Sequence, residues 1–171
     1  DECDLVTIIA GSSAGEHDLT ADVVADAGEL LAHGIDVMPG KPAVLGCADG
    51  QPVLGVPGYP VSAIVIAREI LRPALEKFLS IAAPTHPTVR AIVPKKIASH
   101  LGLEEFIRVT LGRVGAKLVA VPLARGAGVI TTMVHADGLM RIPSLVEGLN
   151  AGEEAEVELL RPMADIENTI L

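Results

Sequence analysis

Two short stretches bring together residue types suited to holding a small anion: Pro39-Gly-Lys-Pro42 and Gly55-Val-Pro-Gly-Tyr-Pro-Val-Ser-Ala63. Lys41 is fixed between Gly40 and Pro42, so a stiff loop carries its positive charge. Downstream, Pro60 has its φ preset for a first helical turn, and Ser62 places a hydroxyl beside free backbone N–H groups. A strand, a Gly/Pro-rich loop and a helix N-terminus together form a natural anion seat. The same residues also make a pair of rigid turns, and spacing alone leaves both readings open. A third stretch, Ala10-Gly-Ser-Ser-Ala-Gly-Glu-His-Asp18, has small residues that let a backbone approach a ligand closely. Asp18 suits a helix N-cap, and a plain strand-to-helix turn explains this stretch equally well.

The elements that must position these stretches can be read from periodicity. Residues 4–10 form an apolar run without clean alternation, which predicts a buried strand. Leu19, Val23, Val24, Ala27, Leu30 and Leu31 recur at helical spacing, with His33-Gly34 as a stop. Ile35–Met38 reads as a short strand leading into the lysine loop. Ala43–Gly46 and Pro52–Gly55 are two apolar runs whose linker contains Asp49-Gly50, a step suited to a tight hairpin turn. A long helix is predicted from Ser62 to about Ser80, with Pro73 bending or dividing it.

Residues 84–87, with two prolines in four positions, break all periodicity and are read as a linker between domains 1–83 and 88–171. Beyond them the signal changes to short β runs: Thr88–Val93, Phe106–Leu111, Lys117–Val121, Val129–Thr132, Met140–Ile142 and Ala155–Leu160. Runs of this length separated by Gly/Pro turns predict a small all-β sandwich or barrel. The fold class expected is therefore α/β followed by a small all-β domain.

Composition narrows the function. The chain has 171 residues and a net charge of −9, which argues against a nucleic-acid or anionic-membrane partner. Residues 1–85 hold four basic and twelve acidic residues, and residues 86–171 hold nine and ten. Basic contacts to any anionic substrate are therefore few, or come from the second half. Tyr59, Phe78 and Phe106 are the aromatic residues, so the core must be built from Val, Ile, Leu and Ala. Cys3 and Cys47 show no metal or disulfide spacing, which fits a reducing, cytoplasmic compartment. No run approaches the ~20 apolar residues of a membrane helix. His17, His33, His86, His100 and His135 are scattered without ligand spacing, and no zinc site is read from them.

Pro-Gly-Lys-Pro, a short hairpin and then Gly-x-Pro-Gly-x-Pro-Val-Ser-Ala resembles the molybdopterin molybdenumtransferase family of MoeA and gephyrin type. Three further matches support it: Gly15-Glu16-His-Asp18, the strand entry Leu103–Val109, and Arg125–Pro143. The resemblance covers nearly the whole chain but only the later part of the family's enzyme, whose sheet begins upstream of Asp1. It implies the later portion of a three-layer molybdopterin-binding type domain, then the family's C-terminal β domain. The combination of motifs resembles the subset in which a domain similar to a periplasmic solute-binding protein follows.

The resemblance further implies a transferase: molybdate and adenylylated molybdopterin give the molybdenum cofactor and AMP, with Mg²⁺ as cofactor. It implies a homodimer for the full-length protein and no activity for these residues alone. Asp18 would organise the metal or serve as the catalytic carboxylate, alongside Lys41 and Ser62. Gly11, Ser13, Gly15 and Glu16 would line the cofactor loop, and Lys41, Pro42, Ser62 and Arg108 would hold molybdate. Ala10, Met38 and Ala127 stand where family members often have a second glycine, a second basic residue and a serine. The competing class is a non-catalytic pterin- or oxyanion-binding regulatory module. His135 and Arg141 read as turn and surface residues, and Gly126 and Gly128 as a bulge.

Overall fold

The computed structural model describes residues 3–9 and 19–166, and the chain divides into two compact units, Asp1–Ala83 and Pro84–Leu171. The first unit contains β1 (Val6–Ile9), α1 (Leu19–Ala27), β2 (Gly28–His33), β3 (Val37–Met38), β4 (Val44–Ala48) and β5 (Gln51–Val56). It ends in α2 (Pro60–Ile66), a π-helical segment (Ala67–Leu71) and α3 (Arg72–Phe78).

Four of these strands form one sheet in the order β1-β5-β4-β2, with β1 parallel to β5 and the other pairs antiparallel. The β4–β5 hairpin is the one expected: Ala48 pairs with Gln51, and Asp49 and Gly50 have φ of 51° and 81°. Positive φ at both central residues is the primed turn that matches strand twist, and Asp and Gly tolerate it best.

Alternation along the strands sends side chains to both faces of the sheet. Val44 and Val53 pack with Ala21 and Val24 of α1, whereas Leu54 and Val56 pack with Ala43 and with Ile66 of α2. The unit is thus helix, sheet, helix, held by branched aliphatic residues.

The apolar pattern over 19–31 does not give one helix. α1 ends at Ala27, and residues 28–33 form β2, which pairs with β4 through a bulge between Leu30 and Ala32. Gly28 is a poor helix residue, and the edge of β4 offers a full set of hydrogen bonds in its place. Leu30 and Leu31 are accordingly exposed rather than core.

Pro73 acts as expected on the long helix, by loosening it. It has no N–H for the carbonyl four residues back, and its ring crowds that carbonyl. The preceding turn widens, so that the Arg72 N–H bonds the Ala67 carbonyl, a five-residue step.

The second unit holds β6 (Thr88–Ile92), β7 (Ile97–Ala98), β8 (Glu104–Val114), β9 (Lys117–Pro122), α4 (Thr131–His135), β10 (Gly138–Ile142), β11 (Gly148–Leu149), β12 (Glu154–Leu159) and α5 (Met163–Ile166). Its main strands run β10-β12-β6-β9-β8, and β8 also pairs with β10, so the sheet closes into a barrel. β7 and β11 form a separate ribbon. Val93, Val109, Leu111, Ala120, Met140, Ile142 and Val157 fill the interior, each no more than 1% exposed. Residues 129–132, expected as a strand, turn instead into α4. The Thr132 hydroxyl donates to the Val129 carbonyl at 2.7 Å, a local bond that competes with strand pairing.

Candidate functional site

The lysine loop is held by its backbone. The Lys41 carbonyl accepts from the Ile35 N–H at 2.9 Å, the Gly40 carbonyl from Ala43 at 3.1 Å, and the Ala43 carbonyl from Gly34 at 2.8 Å. Lys41 is nevertheless exposed, while Pro42 is half-buried and Ala43 fully buried. The main chain is therefore fixed, and the ammonium on its flexible stem reaches solvent.

Gly40 connects this loop to the second motif. It has φ 140°, and a Cβ there would lie 2.7 Å from the Ile66 Cδ1. The loop backbone therefore lies directly on α2. That helix opens with Tyr59 in extended conformation and Pro60 as its first residue, and the Ala63 N–H to Tyr59 carbonyl bond at 2.9 Å closes the turn. Ser62 sits in this first turn at 3% exposure. The two segments touch at Ile66, the last residue of α2, one turn beyond Ser62.

Arg108 has a different setting. It is 3% exposed on β8. Its Nε donates to the Thr132 Oγ1 at 3.1 Å, and its Nη2 to the carbonyls of Ala124 at 2.9 Å and Gly126 at 3.1 Å. The guanidinium thus ties the Gly-rich loop to the start of α4 within the second unit. Burial, and then the charge of Arg125, lowers its proton affinity below that of an ordinary arginine.

Sequence reading missed Thr132 because it assigned that residue to a strand. It also passed over Glu105, which is buried with Arg125 Nη1 at 3.4 Å from its Oε2 and His100 Nδ1 at 3.5 Å from its Oε1. A carboxylate next to the apolar run Phe106-Ile-Arg-Val109 was the available signal, since a buried acid needs a cation. Arg141 lies on the surface as read, paired with Glu104 and 5.8 Å from the Phe106 ring centre.

Gly11, Ser13, Gly15, Glu16 and Asp18 lie outside the described residues. Among the described residues no three His, Cys, Asp or Glu side chains converge to hold a metal ion. No helix among them is long and apolar enough to cross a membrane.

Residues 1–77 match the family described as a probable molybdopterin binding domain, and residues 90–160 match the MoeA C-terminal region (domain IV). The chain belongs to the MoeA family. A Methanocaldococcus jannaschii protein named for molybdopterin biosynthesis is 32% identical over 94% of this MoeA-family chain and 37% of its own length. Molybdopterin molybdenumtransferase 2 of Mycobacterium tuberculosis is 28% identical over 91% of the chain and 40% of its own length. A molybdopterin biosynthesis MoeA protein from Pyrococcus horikoshii superposes with a TM-score of 0.71 and 35% identity, covering 93% of this chain and 38% of that one. The present chain thus spans about two fifths of the length of these relatives.

Proposed function

We propose that this MoeA-family chain takes part in molybdenum insertion, in which molybdate and adenylylated molybdopterin are converted to the molybdenum cofactor and AMP. Two of its relatives are named molybdopterin molybdenumtransferase, which supports this reading. One observation carries the reading to particular residues: Gly40 packs against Ile66, so the lysine loop lies on the helix that bears Ser62 one turn earlier.

In this reading Lys41 supplies a point charge to the tetrahedral molybdate dianion. The first turn of α2 adds the Ser62 hydroxyl and backbone N–H groups, which are charge-assisted donors toward an anion. Pro42 shapes the wall and keeps the lysine backbone from yielding. Arg108 is a positioning residue that holds the Gly126 loop, as its three bonds indicate.

A charge-assisted hydrogen bond contributes about 1.5–3 kcal/mol, so Lys41→Ala should weaken molybdate binding by roughly tenfold to a hundredfold. Ser62→Ala should weaken it less, because the hydroxyl is neutral. Titrating molybdate into the full-length protein and both variants tests this directly. If both bind within about twofold of the parent while their circular dichroism is unchanged, the oxyanion is held elsewhere. Supplying adenylylated molybdopterin as well and measuring AMP release separates turnover from binding alone.

A further inference from the structure

The second unit has a concavity of its own, of about 370 Å³, walled by Lys95, Lys96, Ala98, Leu123, Ala124 and Arg125. Three of these side chains are cationic, and no acidic residue lines the cavity, although the chain as a whole carries −9. Like charges gathered in a cleft repel one another and raise the local concentration of counter-ions.

The cationic wall is built into the fold. Arg125 Nη2 donates to the Ala98 carbonyl at 2.8 Å, and its Nη1 faces the buried Glu105 Oε2 at 3.4 Å. Its planar head is therefore fixed, yet its side chain stays 45% exposed and presents a face to the cavity. Behind it, Arg108 grips the Ala124 and Gly126 carbonyls, one on each side of Arg125. Among the described residues, the partners of Arg108 are carbonyls and a hydroxyl, so its charge has no carboxylate opposite it. The far wall is equally fixed, since Ile97 is buried and β7 pairs with β11.

We propose that this cavity is a second anion site, distinct from the Lys41 loop, that takes the phosphate group of a small molecule. The Arg125 N–H groups not taken by Ala98 and Glu105 can donate to one phosphate oxygen, and the two exposed ammonium groups can follow the others. The volume accommodates a diphosphate or a phosphate ester. The residues that line it all belong to the second unit.

The test uses the 171-residue chain with inorganic pyrophosphate, AMP and sulfate as probes, followed by calorimetry and by backbone amide shifts. Pyrophosphate should bind saturably below ~1 mM, with shifts centred on residues 95–98 and 123–125. The double variant Lys95→Ala/Lys96→Ala, both residues exposed, should bind it at least tenfold more weakly. Lys117→Ala removes a like charge about 16 Å along β9 from Pro122 and should change binding less than twofold. Tighter binding of AMP than pyrophosphate identifies an ester as the ligand, and the reverse identifies free diphosphate. The proposal is overturned if pyrophosphate does not saturate, if sulfate binds equally well, or if Lys117→Ala costs as much as the double variant.

Discussion

Arg108→Ala should destabilise the barrel unit rather than merely weaken a ligand. The guanidinium makes one buried bond to Thr132 and two part-buried bonds to the Ala124 and Gly126 carbonyls. Removing it leaves those acceptors without their charged donor, at about 1–3 kcal/mol for each acceptor that water cannot reach. Ala124 is exposed and its carbonyl rehydrates readily, and Thr132 keeps its bond to Val129. Alanine also relieves a buried positive charge crowded by Arg125, which offsets part of the loss. The Gly126 carbonyl is the acceptor left stranded, so the net expectation is about 1–3 kcal/mol, or roughly 4–20 °C in the melting of a domain of this size.

The chain has no tryptophan, so far-UV circular dichroism is the suitable probe. Amide exchange over residues 124–132 should accelerate in parallel. Arg108→Lys should recover less than half the loss, because an ammonium cannot reproduce a planar fork that serves three acceptors. If Arg108→Ala melts within about 2 °C of the parent and leaves loop exchange unchanged, the clamp is not structural. The guanidinium would then be free for an oxyanion.

Two further outcomes follow from the barrel. Asp137 Oδ2 accepts the Leu111 N–H at 2.7 Å, so Asp137→Ala strands a buried donor and should cost about 1–3 kcal/mol in urea unfolding. Glu153 receives the Asn150 side-chain amide at 2.8 Å and its backbone N–H at 2.9 Å, and both bonds lower the carboxyl pKa, the side-chain bond more. A depressed folded-state value means that this contribution is complete above the ordinary glutamate range and disappears as pH falls through the folded value. An NMR titration of Glu153 should move up toward the ordinary range in Asn150→Ala, and an unchanged midpoint would show that the turn does not set it.

The features legible in the sequence were those decided by neighbours along the chain. Asp49-Gly50 between two apolar runs specified both the hairpin and its turn, because the required positive φ is met by those two residues themselves. Pro73 announced its own effect in the same way, since the missing N–H is a property of one residue. Lys41 and Ser62 could be named as a pair, but the Gly40–Ile66 contact that joins their two segments, across the hairpin between them, is not legible in the sequence.

The misreadings share a cause. Over 28–33 and 129–132 the local pattern supported one element, and partners distant in sequence supported another. β2 exists because β4 has an edge to offer. Residues 129–132 sit beside a loop drawn down onto Arg108, and Arg108 is buried because of where β8 runs. That strand pairs with β9 on one side and β10 on the other, and its whole length from Glu105 to Val109 is buried. Ile107 and Val109 fill the barrel interior, which leaves Arg108 on the opposite face beneath the Gly126 loop. The family resemblance implies Arg108 as a residue that would hold molybdate. The closed barrel makes it the anchor of the loop that carries Arg125, and the positive charge offered to solvent there becomes that of Arg125 and the two lysines opposite.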